Sequence, residues 1–351
     1  MTRPVIVPLG GFLGAGKTTL ILAASRVLQA RGMRCAAILN DQGAELVDTQ
    51  FVQRNGVTAD QVAGGCFCCR FSELIDAAER LRAYSPDVIF AEAVGSCTDL
   101  SATTLRPLKL EYAERFRLAP YSVLVDQRRA HEMDFSFLFQ KQIDEADLIC
   151  FTKADLYSET WGRSLTCPVE SARTGRKPAP HCYLSPLTGQ GVAEWLDEVL
   201  SGEMQPGGKI LDIDYERYAK AEAALAWLNC RVIAKLKKPL SPSMVVGPLL
   251  EDLDRALTEE GFQIAHLKLM DDSPSGYLKA SVTRNGEEPA VQGMLDASPA
   301  AVHELLLNIR AAGEPALLQR IVEKQLAAIP GKLDTRSLQC FSPAPPQPER
   351  R

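Results

Sequence analysis

Through residues 1–200, short apolar runs alternate with amphipathic stretches. The runs fall at Val5–Leu9, Cys35–Leu39, Val88–Ala91, Ser122–Val125, Asp147–Thr152 and Cys182–Leu184. Between most of them apolar positions recur at helical spacing, as in Lys17–Ala30, Ser72–Tyr84 and Gly191–Leu200. A strand that is apolar on both faces needs cover on both, and helices between strands supply it. The pattern predicts a doubly wound, mostly parallel α/β sheet.

Thr166–His181, rich in proline, arginine and glycine, reads as an exposed loop. Ser201–Gly208 has linker composition and separates a first domain, 1–200, from a second, 209–330. In the second, Glu222–Leu236, Ala265–Leu269, Tyr277–Thr283 and Val302–Arg310 read as strands, and Val245–Glu260 and Pro315–Ala328 as helices. That predicts a smaller α+β domain with a mostly antiparallel sheet. Residues 331–351, ending in the proline- and charge-rich Ser342–Arg351, read as a disordered tail.

No apolar run is long enough to span a bilayer, and strand-like sequence begins at once, without a signal peptide. A cytoplasmic, membrane-free location is therefore expected. A net charge of −5 argues against a broad nucleic-acid surface. Of ten cysteines, three cluster at Cys66, Cys68 and Cys69, which in a reducing compartment points to metal or redox chemistry. Cys35 and Cys150 sit in apolar runs and read as small buried hydrophobes.

Gly11-Phe12-Leu13-Gly14-Ala15-Gly16-Lys17-Thr18, followed by Thr19, joins the first strand to the first helix. Its glycines let backbone N–H groups turn inward on phosphate, at the positive end of the helix. The spacing assigns Lys17 to the β- and γ-phosphates and the Thr18 hydroxyl to Mg²⁺. Glu92 ends a later apolar strand, where a carboxylate would hold the metal's water shell, and Gly95 would present its N–H to the γ-phosphate. Thr152-Lys153-Ala154-Asp155 stands where Asn-Lys-x-Asp reads guanine in GTPases, with Thr152 replacing the asparagine. Lys153 would cover the ring and Asp155 would accept from guanine, favouring GTP over ATP. Ser185-Pro186-Leu187-Thr188-Gly189 is either a loop closing over the base or a turn before the next helix.

In Gly64-Gly65-Cys66-Phe67-Cys68-Cys69, three thiols on a glycine turn can converge on one soft ion, with no obvious fourth ligand nearby. A redox cluster or simple burial are the other readings. The four histidines, His131, His181, His266 and His303, are scattered and read as surface or structural residues.

Together these motifs resemble the CobW/HypB/UreG family of SIMIBI-class P-loop GTPases, most closely its CobW branch, over roughly residues 4–200. The resemblance also draws on Asn40-Asp41 and Asp48 after the second strand. It implies GTP hydrolysis to GDP coupled to delivery of Zn²⁺, Co²⁺, Ni²⁺ or a metallocofactor to a client metalloprotein or cobalamin-dependent enzyme. It places Asp41 in a switch segment near Mg²⁺, makes Asp48 a catalytic candidate beside Lys17 and Glu92, and makes Cys66, Cys68 and Cys69 metal ligands. Family members more often carry glutamate where Asp41 stands, and many have a histidine-rich stretch that this chain lacks. Two rival readings are a chaperone of a cobalamin- or metal-dependent enzyme with a structural cysteine site, and an ATP-using small-molecule kinase. Homodimerisation is left open.

Overall fold

Each apolar run becomes a strand of one parallel sheet in the computed structural model, which describes residues 3–43, 46–129, 136–156 and 179–351. The strands are β1 (Val5–Gly11), β2 (Cys35–Asp41), β3 (Thr58–Ala63), β4 (Val88–Glu92), β5 (Arg117–Leu118), β6 (Ser122–Asp126), β7 (Leu148–Thr152) and β8 (His181–Tyr183). Their order is β3-β2-β4-β1-β6-β7-β8, with β5 also on β1. Every residue of β4, β6 and β7 is buried, as expected of strands covered on both faces. The cover includes α1 (Lys17–Ala30), whose Leu20, Ile21, Ala24 and Leu28 are buried, and α3 (Phe71–Arg82), which buries Phe71, Leu74, Ala77, Ala78 and Leu81. Between them lies α2 (Val47–Arg54); later come α4 (Arg106–Glu111), α5 (Ser136–Glu145), α6 (Val192–Leu200) and α7 (Tyr215–Ala223). Most of the expected loop at Thr166–His181, together with His131, lies outside the described residues.

Contacts divide the chain into two units. Met1–Asp41, Val52–Tyr218 and Pro346–Arg351 form the first; Gln42–Phe51 and Ala219–Pro345 form the second. The division thus falls in α7, beyond the expected linker, and the second unit also takes a segment from within the first half of the chain.

The second unit is a six-stranded antiparallel sheet, ordered β12-β11-β10-β13-β9-β14. Its strands are β9 (Leu225–Leu240), β10 (Gln263–Ser273), β11 (Gly276–Val282), β12 (Ala290–Gly293), β13 (Ala300–Ala312) and β14 (Gly331–Phe341). Residues 331–341, expected in a disordered tail, instead pair with β9 from Gly331↔Leu236 to Phe341↔Trp227. The two helices α8 (Pro242–Glu259) and α9 (Pro315–Ala327) share an apolar core with one sheet face, built on Leu228, Val232, Leu253, Leu267, Leu307 and Val322. Alternation along the strands puts Trp227, Asn229, Lys268, Lys279, Asn308 and Arg310 on the other face. There the buried Arg310 guanidinium stacks over Trp227 at 4.1 Å and donates to Asn229 Oδ1 at 2.8 Å. Segment Gln42–Phe51 joins this polar face: Val47 N–H donates to Asn308 Oδ1 at 3.0 Å, and Phe51 meets Tyr277 edge-on at 6.2 Å.

Candidate nucleotide and metal site

The loop after β1 has the shape that phosphate binding requires. Gly11, Gly14 and Gly16 have φ of 123°, 78° and 94°, conformations that strain any residue with a Cβ. Lys17 and Thr18 open α1 and are buried, and Ala15 and Thr19 flank them. Lys17 Nζ lies across the loop, donating to the Gly11 carbonyl at 2.7 Å and the Phe12 carbonyl at 3.4 Å. Its charge is thus held inside the cradle.

Parallel register sets Glu92, at the end of β4, between Leu9 of β1 and Leu39 of β2. The Thr18 hydroxyl donates to both Glu92 oxygens, at 3.0 and 3.1 Å. Two residues 74 apart in sequence so present neighbouring, buried oxygen donors, a set suited to a hard divalent cation. A Cβ on Gly95 would come within 2.8 Å of Leu13 N. Close packing against the loop therefore requires glycine here, a reason beyond the expected one of phosphate access.

At the other end of the cradle, the buried Thr152 hydroxyl donates to the Ala15 carbonyl at 2.9 Å, tying the end of β7 to the phosphate loop. Lys153 has a φ of 60° and pairs with Asp126 at 2.6 Å. Asp155 accepts from the Ser185 hydroxyl at 2.5 Å, and Ala154 N–H donates to the Leu184 carbonyl at 3.2 Å. Ser185 is therefore packed against the Thr152–Asp155 segment rather than standing apart from it. Two residues here escaped the sequence reading. Asp126, one position past an apolar run, orients Lys153; Arg129 donates to the Leu13 carbonyl at 2.5 Å and stacks over Phe12 at 5.2 Å.

The sulfurs of Cys66, Cys68 and Cys69 lie within 4.8 Å of one another, and Cys66 and Cys68 are paired as a disulfide. Cys66 and Cys68 are buried and Cys69 is half-buried. The turn is braced from β2. Asn40 donates to the Val62 carbonyl at 2.9 Å and the Gly65 carbonyl at 2.7 Å, and accepts from Phe67 N–H at 2.8 Å. With that pair reduced, three soft donors on one braced turn fit a thiophilic ion.

Asp41 follows Asn40, closes β2 and stands opposite Ala63 of β3. Asp48 lies in the second unit, ion-paired with Lys268 and with Lys279, the latter at 3.1 Å. Burial opposes its charge, but the two ammonium groups outweigh burial and hold the carboxyl well below the usual carboxylate range. His303 is also structural, buried with Nδ1 2.6 Å from Asp271, and His266 is buried in the same sheet.

Comparison with known proteins places this architecture. The zinc chaperone YjiA of Escherichia coli K12 is 32% identical over 169 residues, 45% of this chain and 52% of that protein. The zinc chaperone CobW of Sinorhizobium sp is 28% identical over 200 residues, 48% of this chain and 55% of that protein. The chain thus spans about half the length of the curated relatives it matches. A solved structure of Zn(II)-bound YjiA GTPase from E. coli aligns over 94% of this chain and 99% of its own at 16% identity, with a TM-score of 0.37, a distant likeness. The model of the CobW/HypB/UreG nucleotide-binding domain matches residues 4–177. Residues 4–177, which carry the phosphate loop, the Glu92 strand and the thiol turn, are thus similar to the nucleotide-binding domain of the CobW/HypB/UreG family.

Proposed function

We propose that this chain hydrolyses GTP to GDP and phosphate and uses the nucleotide state to control delivery of a soft metal ion, Zn²⁺ before Co²⁺ or Ni²⁺, to a client protein. The observation that carries the reading is the Asn40 brace: the residue before Asp41 holds both sides of the turn bearing the three thiols. A segment that responds to nucleotide at Asp41 would then also move the metal ligands.

On this reading Lys17 compensates phosphate charge from inside the loop, and the backbone N–H groups around Gly14 and Gly16 cradle the phosphates. Thr18 and Glu92 would hold Mg²⁺, which when bound neutralises charge on the β- and γ-phosphates. Lys153 and Asp155 select guanine, and Asp126 and Ser185 fix their positions. Catalysis rests on positioning and charge compensation rather than on a single strong base. Asp48, clamped by two lysines, takes that role only if its segment is released. The cargo is held by Cys66, Cys68 and Cys69, with the remaining ligand position left to water, a carboxylate or the client.

A direct zinc titration tests the metal half. Replacing Cys66, Cys68 and Cys69 together with serine should abolish high-affinity binding and leave GTP binding intact, because the phosphate loop is a separate turn. Tight zinc binding by the triple variant would remove the thiol turn from the proposal. For the nucleotide half, Glu92→Gln should lower GTP turnover more than GTP affinity. Turnover at the wild-type rate would show that Glu92 is not the Mg²⁺-side carboxylate.

A further inference from the structure

The thiol turn has a neighbour that nucleotide and metal binding leave unused. Pro346–Arg351, expected to be disordered, belongs to the first unit. Gln347 N–H donates to Cys69 Sγ at 3.1 Å. Two residues on, Glu349 N–H donates to the Cys68 carbonyl at 2.9 Å. The Glu349 carboxylate accepts from both the N–H and the hydroxyl of Ser72, at 2.9 and 2.7 Å.

Ser72 lies in the first turn of α3, the helix that follows the thiols. Arg70, at its N-cap, makes no side-chain capping bond. A carboxylate from far along the chain therefore satisfies an N–H that the helix start leaves open, at the helix's positive end. Pro346 and Pro348 flank Gln347 and restrict the segment to extended backbone, which costs less entropy to order than a free chain. Beyond Glu349, Arg350 approaches Glu111 at 3.8 Å, and the Arg351 guanidinium stacks over Tyr215 at 5.1 Å.

We propose that Pro346–Arg351 is a strap over the thiol turn that must open before a bound ion can pass to another protein. The proposal rests on the reading of the turn as a metal site and adds what controls its traffic. The strap places peptide main chain against the half-buried sulfur, Cys69, while Cys66 and Cys68 are already enclosed. An incoming ligand attacks a bound ion most readily from the accessible side, and that is where the strap lies. Gln347 and Glu349 are themselves exposed, so their bonds can break without unfolding the sheet. The strap is thus held by a few bonds of modest net worth, as a reversible cover requires.

The test uses the full chain, a variant lacking residues 346–351, and Glu349→Gln, which keeps every backbone donor and weakens only the carboxylate anchor. In metal-free, reduced protein, alkylation of Cys69 by iodoacetamide is followed by mass spectrometry. Removing the strap should speed it by about fivefold or more, with Glu349→Gln between the extremes. In zinc-loaded protein, transfer to a chromophoric chelator should accelerate in the same order while GTP turnover stays unchanged. Equal alkylation rates in all three proteins overturn the strap, whatever the zinc data show. Faster alkylation with unchanged zinc transfer means the ion leaves by another route, which overturns the gating. Faster alkylation on removing the strap, together with no zinc binding by the full chain, leaves the cover over the thiols standing and sinks the metal reading instead.

Discussion

Burial decides the protonation of Glu145. Its carboxyl is fully buried, accepting from the Thr98 hydroxyl at 3.2 Å and Ser101 N–H at 3.1 Å. Burial pushes its pKa up to about 8, with Asp99 adding repulsion against the two hydrogen bonds. The folded protein therefore keeps a proton that the unfolded chain gives up near 4.5, so stability falls as pH rises from there to about 8. Glu145→Gln should flatten that part of the profile and raise the unfolding temperature at about pH 8. Thermal melts of both proteins across the range decide it, and parallel curves would show that Glu145 is not the titrating group. At the base site, Asp155 is one acceptor held by Ser185, and selectivity should hang on it. We expect GTP to bind at least about tenfold more tightly than ATP, or about 1.4 kcal/mol, and Asp155→Ala to erase most of the difference. Calorimetry showing equal wild-type affinities would count against guanine recognition.

At the scale of elements, the candidate site residues sit where strands end. The phosphate loop, Glu92, the Asn40–Asp41 pair and Thr152 all close parallel strands at the same edge of one sheet. Such an edge collects ligands because every strand there delivers a loop and the following helix often aims its positive end toward it. Asn40 belongs to a strand but acts on a turn. Asn40→Ala would remove one donor and one acceptor from the thiol turn and leave the phosphate loop untouched. Because outer-shell bonds orient ligands, zinc affinity should fall about ten- to hundredfold while GTP affinity holds. If competitive zinc titration finds no loss, the thiols are positioned without the brace.

For the molecule as a whole, the telling feature is a segment that changes allegiance. The chain leaves the first unit after Asp41, gives Gln42–Phe51 to the second, and re-enters the first at Val52. Asp48, paired with Lys268 and Lys279, and Val47, bonded to Asn308, secure it there. A nucleotide-dependent pull at Asp41 would therefore act on the thiol turn through Asn40 and on the second unit through Gln42–Phe51. Linkage between nucleotide and metal must run both ways. We expect zinc affinity to differ about five- to hundredfold between the GDP form and the form with a non-hydrolysable GTP analogue. Identical affinities in the two states would make the cysteine site static and remove the switch.

Much of this was legible in residue order because it is local. A phosphate loop is one strand, one turn and one helix, so its glycines, Lys17 and Thr18 could be found from spacing alone, as could the helix Lys17–Ala30 and the clustering of three thiols. Glu92 was read as a candidate only beside the phosphate loop, because a glutamate after a strand is by itself commonplace. Hydrophobic period records which face of an element is buried, not what covers it. The polar sheet face with Asn229, Asn308 and Arg310 therefore gave no signal that Gln42–Phe51 would settle on it. Gly331–Phe341 looked like tail because an edge strand needs only one paired neighbour and shows weak alternation. Asp48 read as a catalytic candidate, yet its partners come from residues 220 and 231 positions away. The strap over Cys69 reaches 278 residues along the chain. Contacts at such separations form only when each unit folds up on itself, and the periodicity of the sequence does not record them.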